Sequence, residues 1–141
     1  MTTADNAQPA AALRIPITNI HQGSVYSAQI SIGGKGVAAN LLLDTGSSPL
    51  AVVAATYDGA GDTALATTTL AQLTTYAGGG WAGPVVTTDL GFGGPVVLKA
   101  APIAIAVVHQ GALGTANGIL GLAYLQPRRD RGDARRLRGR R

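Results

Sequence analysis

Apolar and polar side chains alternate along residues 15–20 and 24–32, the period-two pattern of strands with one covered face. Gly33-Gly34-Lys35-Gly36 follows as a tight-turn signal and predicts a hairpin into a further strand over 37–43. Within that strand Leu41-Leu42-Leu43 is apolar on both faces, which places it inside a sheet and brings Asp44 to the end of a buried element. Residues 49–55 form a short strand candidate and 57–63 a Gly/Asp loop. Segments 67–76 and 81–90 flank Ala77-Gly78-Gly79-Gly80 and predict a second hairpin with a flexible tip. Residues 96–108 are strand-like with a break expected at Pro102, and 117–124 closes the patterned region.

Strands and tight turns from end to end, in a chain rich in Gly, Ala, Thr and Val, predict an all-β fold, and 141 residues fit one domain. The expected organisation is a flexible leader over 1–13, a folded body over 14–126 and a disordered basic tail over 127–141. Charge divides at the same boundary. Three cations against five aspartates leave residues 1–127 at −2, whereas eight arginines against two aspartates give residues 128–141 a charge of +6. The tail carries no aromatic residues for base stacking and no apolar face for a bilayer, which argues against nucleic-acid and membrane partners. Arg131-Gly132-Asp133 is a coincidence of that composition. The loss of pattern at Gln126-Pro127 raises the expectation of a truncated or frameshifted gene product.

The chain has no cysteine, so disulfides and thiolate metal sites are excluded. His21 and His109 lack metal-ligand spacing. With no signal-like N-terminus and no apolar run long enough to cross a bilayer, the expected setting is cytoplasmic.

Chemistry concentrates at Asp44-Thr45-Gly46-Ser47-Ser48. A carboxylate ending a buried strand is partly desolvated, Gly46 lets the backbone turn closely beneath it, and the Thr and Ser hydroxyls are placed to donate to its oxygens. Such a carboxylate is held for acid or base work; the plainer reading is a local turn in which Asp44 caps the loop. The remaining aspartates Asp58, Asp62 and Asp89 lie in loop-like or hairpin-edge surroundings and read as solvated surface groups.

Three segments in order give the chain its resemblance to the pepsin-like aspartic peptidases. Leu42-Leu43-Asp44-Thr45-Gly46-Ser47-Ser48 resembles the catalytic loop of the N-terminal lobe, and Tyr76-Ala77-Gly78-Gly79-Gly80-Trp81-Ala82-Gly83 resembles the flap hairpin whose Tyr closes over substrate. Asn117-Gly118-Ile119-Leu120-Gly121-Leu122-Ala123-Tyr124 is similar to the segment that passes beneath the catalytic loop. The resemblance implies a single lobe of the acid-protease barrel, acting on polypeptide substrate with no metal or organic cofactor. It implies that Asp44 is one of two carboxylates that share a proton and activate water, that Thr45 ties its loop to the opposing lobe, and that Gly46 permits close approach. Ser47 is implied to hydrogen-bond the carboxylate, and Tyr76, with Gly78 and Gly79, to contact substrate and exclude water.

The chain departs from that pattern in three places. Family members usually carry Trp three residues after the second Ser of the loop, where it steadies the flap Tyr; here the residue is Ala51. Trp81, in the flap, reads either as a partial substitute or as a packing residue at the solvent edge. Asp-Thr-Gly also occurs once, so a second lobe or a second copy is needed for the full dyad. Two alternatives accompany the endopeptidase lobe: a retropepsin-like homodimer, in which two-fold symmetry supplies the other Asp, and an inert fragment that binds extended peptides by strand addition.

Overall fold

The computed structural model describes residues 14–20, 25–111, 113 and 115–123. The leader at 1–13, the basic tail, His21 and Tyr124 lie outside them. Among the described residues the chain is all-β, with nine strands: β1 Ile17–Ile20, β2 Val25–Ile32, β3 Val37–Asp44, β4 Leu50–Val53, β5 Ala66–Tyr76, β6 Gly79–Gly91, β7 Val97–Ala106, β8 Val108–Gly111 and β9 Gly118–Gly121.

Strand alternation builds a barrel. The sheet runs β1-β2-β3-β9-β4-β7-β6-β5, and β6 returns to β2 through the pairs Ser31↔Gly91 and Ile32↔Leu90. Six strands therefore close a ring, which removes most of the free edge. Its interior is filled by Ile30, Ile32, Leu41, Val52, Val86, Leu90, Ile103 and Ile105. The intervening residues form a row on the other face, Leu42↔Ile119↔Ala51↔Ala104↔Val85, carried across five strands by the pairing register. A second cluster of Ala51, Trp81, Ala104, Ala106, Leu113 and Ile119 covers that row. As its three leucines predict, β3 is an interior strand between β2 and β9, although only Leu41 is fully buried and Leu42 and Leu43 are half-buried.

Two expectations are corrected. β7 continues through Pro102, which pairs with Thr87. The strand tolerates the proline because β4 joins β7 only from Ala104 onward, so the neighbouring edge has no ladder bond to lose there. The irregularity lies earlier, where the β6–β7 register shifts between Thr88 and Leu90 and Ala100 takes a φ of 50°. The strand expected to reach residue 108 is also two elements: after a bend at Val107, β8 leaves β4 behind and pairs with the start of β6.

That pairing gives the hairpin glycines a different meaning. β6 begins at Gly79 and is hydrogen-bonded to β5 on one side and β8 on the other, so of the expected tip only Ala77 and Gly78 form the turn, while Gly79 and Gly80 lie in the central strand of a three-stranded ribbon. A Cβ on Gly79 would meet the Gln110 carbonyl of β8. Glycine is needed there for close approach of two backbones.

Candidate active site

Asp44 ends β3, and the loop after it is held from below by β9. This strand, from the far end of the body, lies between β3, to which it is parallel, and β4, to which it is antiparallel. Asn117 locks the start of the slot: its side-chain oxygen accepts from the Asn40 amide and its carbonyl from the Val53 amide, both at 2.8 Å. At the other end three successive amides reach the loop itself. Gly121 donates to the Pro49 carbonyl at 2.9 Å, Leu122 to that of Asp44 at 2.7 Å, and Ala123 to that of Ser47 at 2.9 Å. The loop backbone is thereby fixed by a separate strand, the condition for holding a carboxylate in one orientation.

The Gly46 amide donates to Asp44 Oδ1 at 2.8 Å, closing a local turn. The hydroxyl contact expected from Ser47 is not formed: Ser47 Oγ is buried without a partner among the described residues, and it is the Gly46 amide that meets the carboxylate. Thr45 is exposed at the apex, where it is free to meet another surface.

Alternation carries Asp44 onto the face of Leu42, two residues earlier, and Leu42 packs on the Ala51–Trp81–Ile119 cluster. Tyr76, the last residue of β5, packs on the same cluster, so the hairpin tyrosine shares one apolar patch with Leu42, two residues before Asp44. Gly79 stands directly opposite Tyr76, and Gly78 occupies the turn between them. Trp81 is 3% exposed, which overturns its reading as a solvent-edge residue. Tyr76 Oη and Trp81 Nε1 are both buried without hydrogen-bond partners among the described residues. An open groove of about 340 Å³ runs along this hairpin between Leu73, Gly80 and Val108, and Asp44 does not line it.

The other described aspartates each have their own partners. Asp58 accepts from the Ala60 amide, and Asp89 pairs with Lys99 at 2.6 Å on the surface. Asp62, expected to be a solvated surface group, is instead the centre of a polar network. Its carboxylate accepts from Tyr57 Oη and Thr88 Oγ1 at 2.6 Å and from the Gly34 and Ala64 amides at 2.9 Å. Burial works against its charge, but the bonds from Thr88, Tyr57, Gly34 and Ala64 outweigh it and hold the carboxyl well below the usual carboxylate range. Burial, reinforced by the bond to Asp62, pushes the Tyr57 hydroxyl up to about 12. The network ties the β2–β3 turn and the 57–64 loop to β6; it supports the barrel and is separate from the loop of Asp44. A local signal for it existed in Tyr57 and Asp62, five residues apart, but Thr88 and Gly34 are distant in sequence.

The fold matches that of the aspartic proteinase from Irpex lacteus, with a TM-score of 0.63 and 26% sequence identity over 76% of this chain. The chain spans 30% of the length of that proteinase. No protein-family model matches the sequence, and no curated protein matches it. The described body is thus an all-β unit resembling a lobe of an aspartic proteinase.

Proposed function

We propose that this chain is an aspartic-type endopeptidase lobe in which Asp44 is one half of a carboxylate dyad, the other half coming from a further lobe or a second copy. The observation that carries this reading is the placement of Asp44 at the end of an interior strand, on a loop held by three backbone bonds from the end of β9 and the two residues after it, two residues from Leu42 in the patch that seats Tyr76. Two carboxylates brought together share one proton, because like charges at contact cannot both ionise; the ionised group takes a proton from water while the protonated one donates to the peptide carbonyl oxygen. Asp44 is suited to such sharing because Gly46 fixes one of its oxygens and no cation pairs with it among the described residues. Exposed Thr45 is the residue of the loop placed to meet the opposing surface. Tyr76 covers the bound peptide and, with Gly78 and Gly79, leaves the chain of an extended substrate close to the hairpin backbone.

Sedimentation run beside cleavage of a peptide substrate at acidic pH tests the proposal. The monomer is expected to be inactive, activity is expected to appear with self-association or with an added second lobe, and Asp44→Asn is expected to abolish it without unfolding the chain. Cleavage by verified monomer that survives Asp44→Asn would overturn the assignment.

A further inference from the structure

We infer that Asn117 is a site of spontaneous covalent modification: its side-chain amide is lost by cyclisation onto Gly118 when β9 leaves the slot between β3 and β4, and the isoaspartyl product cannot seat β9 again. The inference stands on the slot alone and does not depend on the peptidase reading.

The residue that follows sets the chemistry. The Gly118 amide nitrogen attacks Cγ of Asn117; a bond forms between them, the Cγ–Nδ2 bond breaks, and the Gly118 amide proton leaves with Nδ2 as ammonia. Water then opens the five-membered imide at one of its two carbonyls. One opening gives aspartate with the original backbone, and the other gives isoaspartate, whose main chain runs through Cβ and Cγ and is one methylene longer. Attack is fastest where no side chain on the following residue crowds the nitrogen. Asn6, Asn19 and Asn40 precede Ala, Ile and Leu, and only Asn117 precedes Gly.

The fold requires this labile pair. A Cβ on Gly118 would collide with the Ala51 carbonyl of β4, so the position takes glycine alone. Asn117 is held through three bonds: its amide donates to the Asn40 carbonyl, its Oδ1 accepts from the Asn40 amide and its carbonyl accepts from the Val53 amide, each at 2.8 Å. While Oδ1 is held by Asn40, the side chain is directed to β3 and cannot turn back onto the Gly118 nitrogen. Cyclisation therefore waits for the slot to open.

The two products then differ in what they can rebuild. Aspartate offers Asn40 the same acceptor, and Nδ2 donates to no group among the described residues, so its loss breaks no bond there. Isoaspartate inserts its methylene directly before Gly118, whose partners Leu41 and Val52 set the register of β9 with both neighbours. A shift at that point carries on to the Gly121, Leu122 and Ala123 amides, which hold the Asp44 loop.

Mass spectrometry and peptide mapping of the full chain, aged in mildly alkaline buffer with and without urea, test this. In urea the mass gain of one deamidation is expected at Asn117, and Asn117→Gln, whose longer side chain closes a ring far more slowly, is expected to remove it. The folded chain is expected to react at least about tenfold more slowly, because it reacts only from its open state. Asp58-Gly59 forms the same imide by losing water, regains it on hydrolysis and leaves the mass unchanged, so the gain in mass reads Asn117. Returned to native buffer, the isoaspartyl chain is expected to exchange the amides of residues 121–123 about tenfold faster than the parent, whereas Asn117→Asp keeps the parent's protection. Four results would overturn the inference: a folded chain that deamidates as fast as the unfolded one, a mass gain that survives Asn117→Gln, parental exchange at 121–123 in the isoaspartyl chain, or an Asn117→Asp chain no better protected than the isoaspartyl one.

Discussion

The backbone amide of Leu122 donates to the carbonyl oxygen of Asp44 at 2.7 Å, so the residue that carries the candidate chemistry is tied to the last described strand and its exit. Gly121, the residue before it, makes that contact sterically feasible. A Cβ there would stand 2.6 Å from the Ser47 carbonyl oxygen and 2.7 Å from that of Pro49. Gly121→Ala is expected to force the 44–49 loop away from β9 and to cost about 1–3 kcal/mol. Thermal unfolding reads the effect, and a midpoint within a degree of the parent would show that the loop yields freely.

Asp62 should govern stability toward acid. Its folded-state pKa lies below its ordinary value of 3.8, so the unfolded chain binds the proton more readily. The stabilisation is complete above about pH 4 and declines as pH falls further, through the depressed folded pKa. Asp62→Ala strands the hydroxyls of Thr88 and Tyr57, which are 0% and 4% exposed, and is expected to cost about 2–3 kcal/mol at neutral pH. Asp62→Asn is expected to flatten the acid limb of the stability curve. An unchanged acid limb would show that this carboxylate is not the group whose protonation matters.

The opposite sign applies to Tyr57. Its pKa is raised from 10.0 to about 12, so the folded state keeps the proton longer than the unfolded chain. The corresponding stabilisation is present below pH 10 and disappears as pH rises toward 12. Tyr57→Phe is expected to remove that alkaline dependence in denaturation curves taken across the interval, at some cost in stability at neutral pH. Curves that stay parallel for the two proteins would contradict it.

Ser47→Ala should leave stability within about 0.5 kcal/mol of the parent, or raise it, because the buried hydroxyl makes no hydrogen bond among the described residues that the change could break. Chemical denaturation measures this directly. A loss above about 1.5 kcal/mol would mean that Ser47 Oγ has a partner in solution.

Much of this arrangement was legible in the residues themselves. The leucine run announced β3 as interior and the Gly33–Gly36 turn announced its hairpin, whereas the service of the segment from Asn117 onward to the Asp44 loop was implied only by its resemblance to the pepsin-like segment. These signals are local: alternation, turn residues and one short motif. What escaped depends on who meets whom at long range. Asp62 reads as a surface group until Thr88 and Gly34 converge on it. Trp81 sits in a glycine-rich stretch that suggests exposure, and only the alanines of β4 and β7 give it a buried seat. Pro102 breaks a strand by propensity, yet it falls where no neighbouring strand requires its amide. The split between β7 and β8 is set by where β4 ends, which the 96–108 sequence does not encode.

Because β9 fills the slot between β3 and β4, the loop of Asp44 cannot be completed until residues 118–123 have been made. Strands β3 and β4 leave the ribosome early, but they must wait for everything from β5 through β8 before the residues that join them arrive. Assembly of the candidate catalytic loop is therefore a late event in folding, governed by contacts of high sequence separation. A chain stopped short of β9 would present Asp44 on an unsupported loop, so the order of synthesis itself delays the fixing of this carboxylate until the barrel is closed.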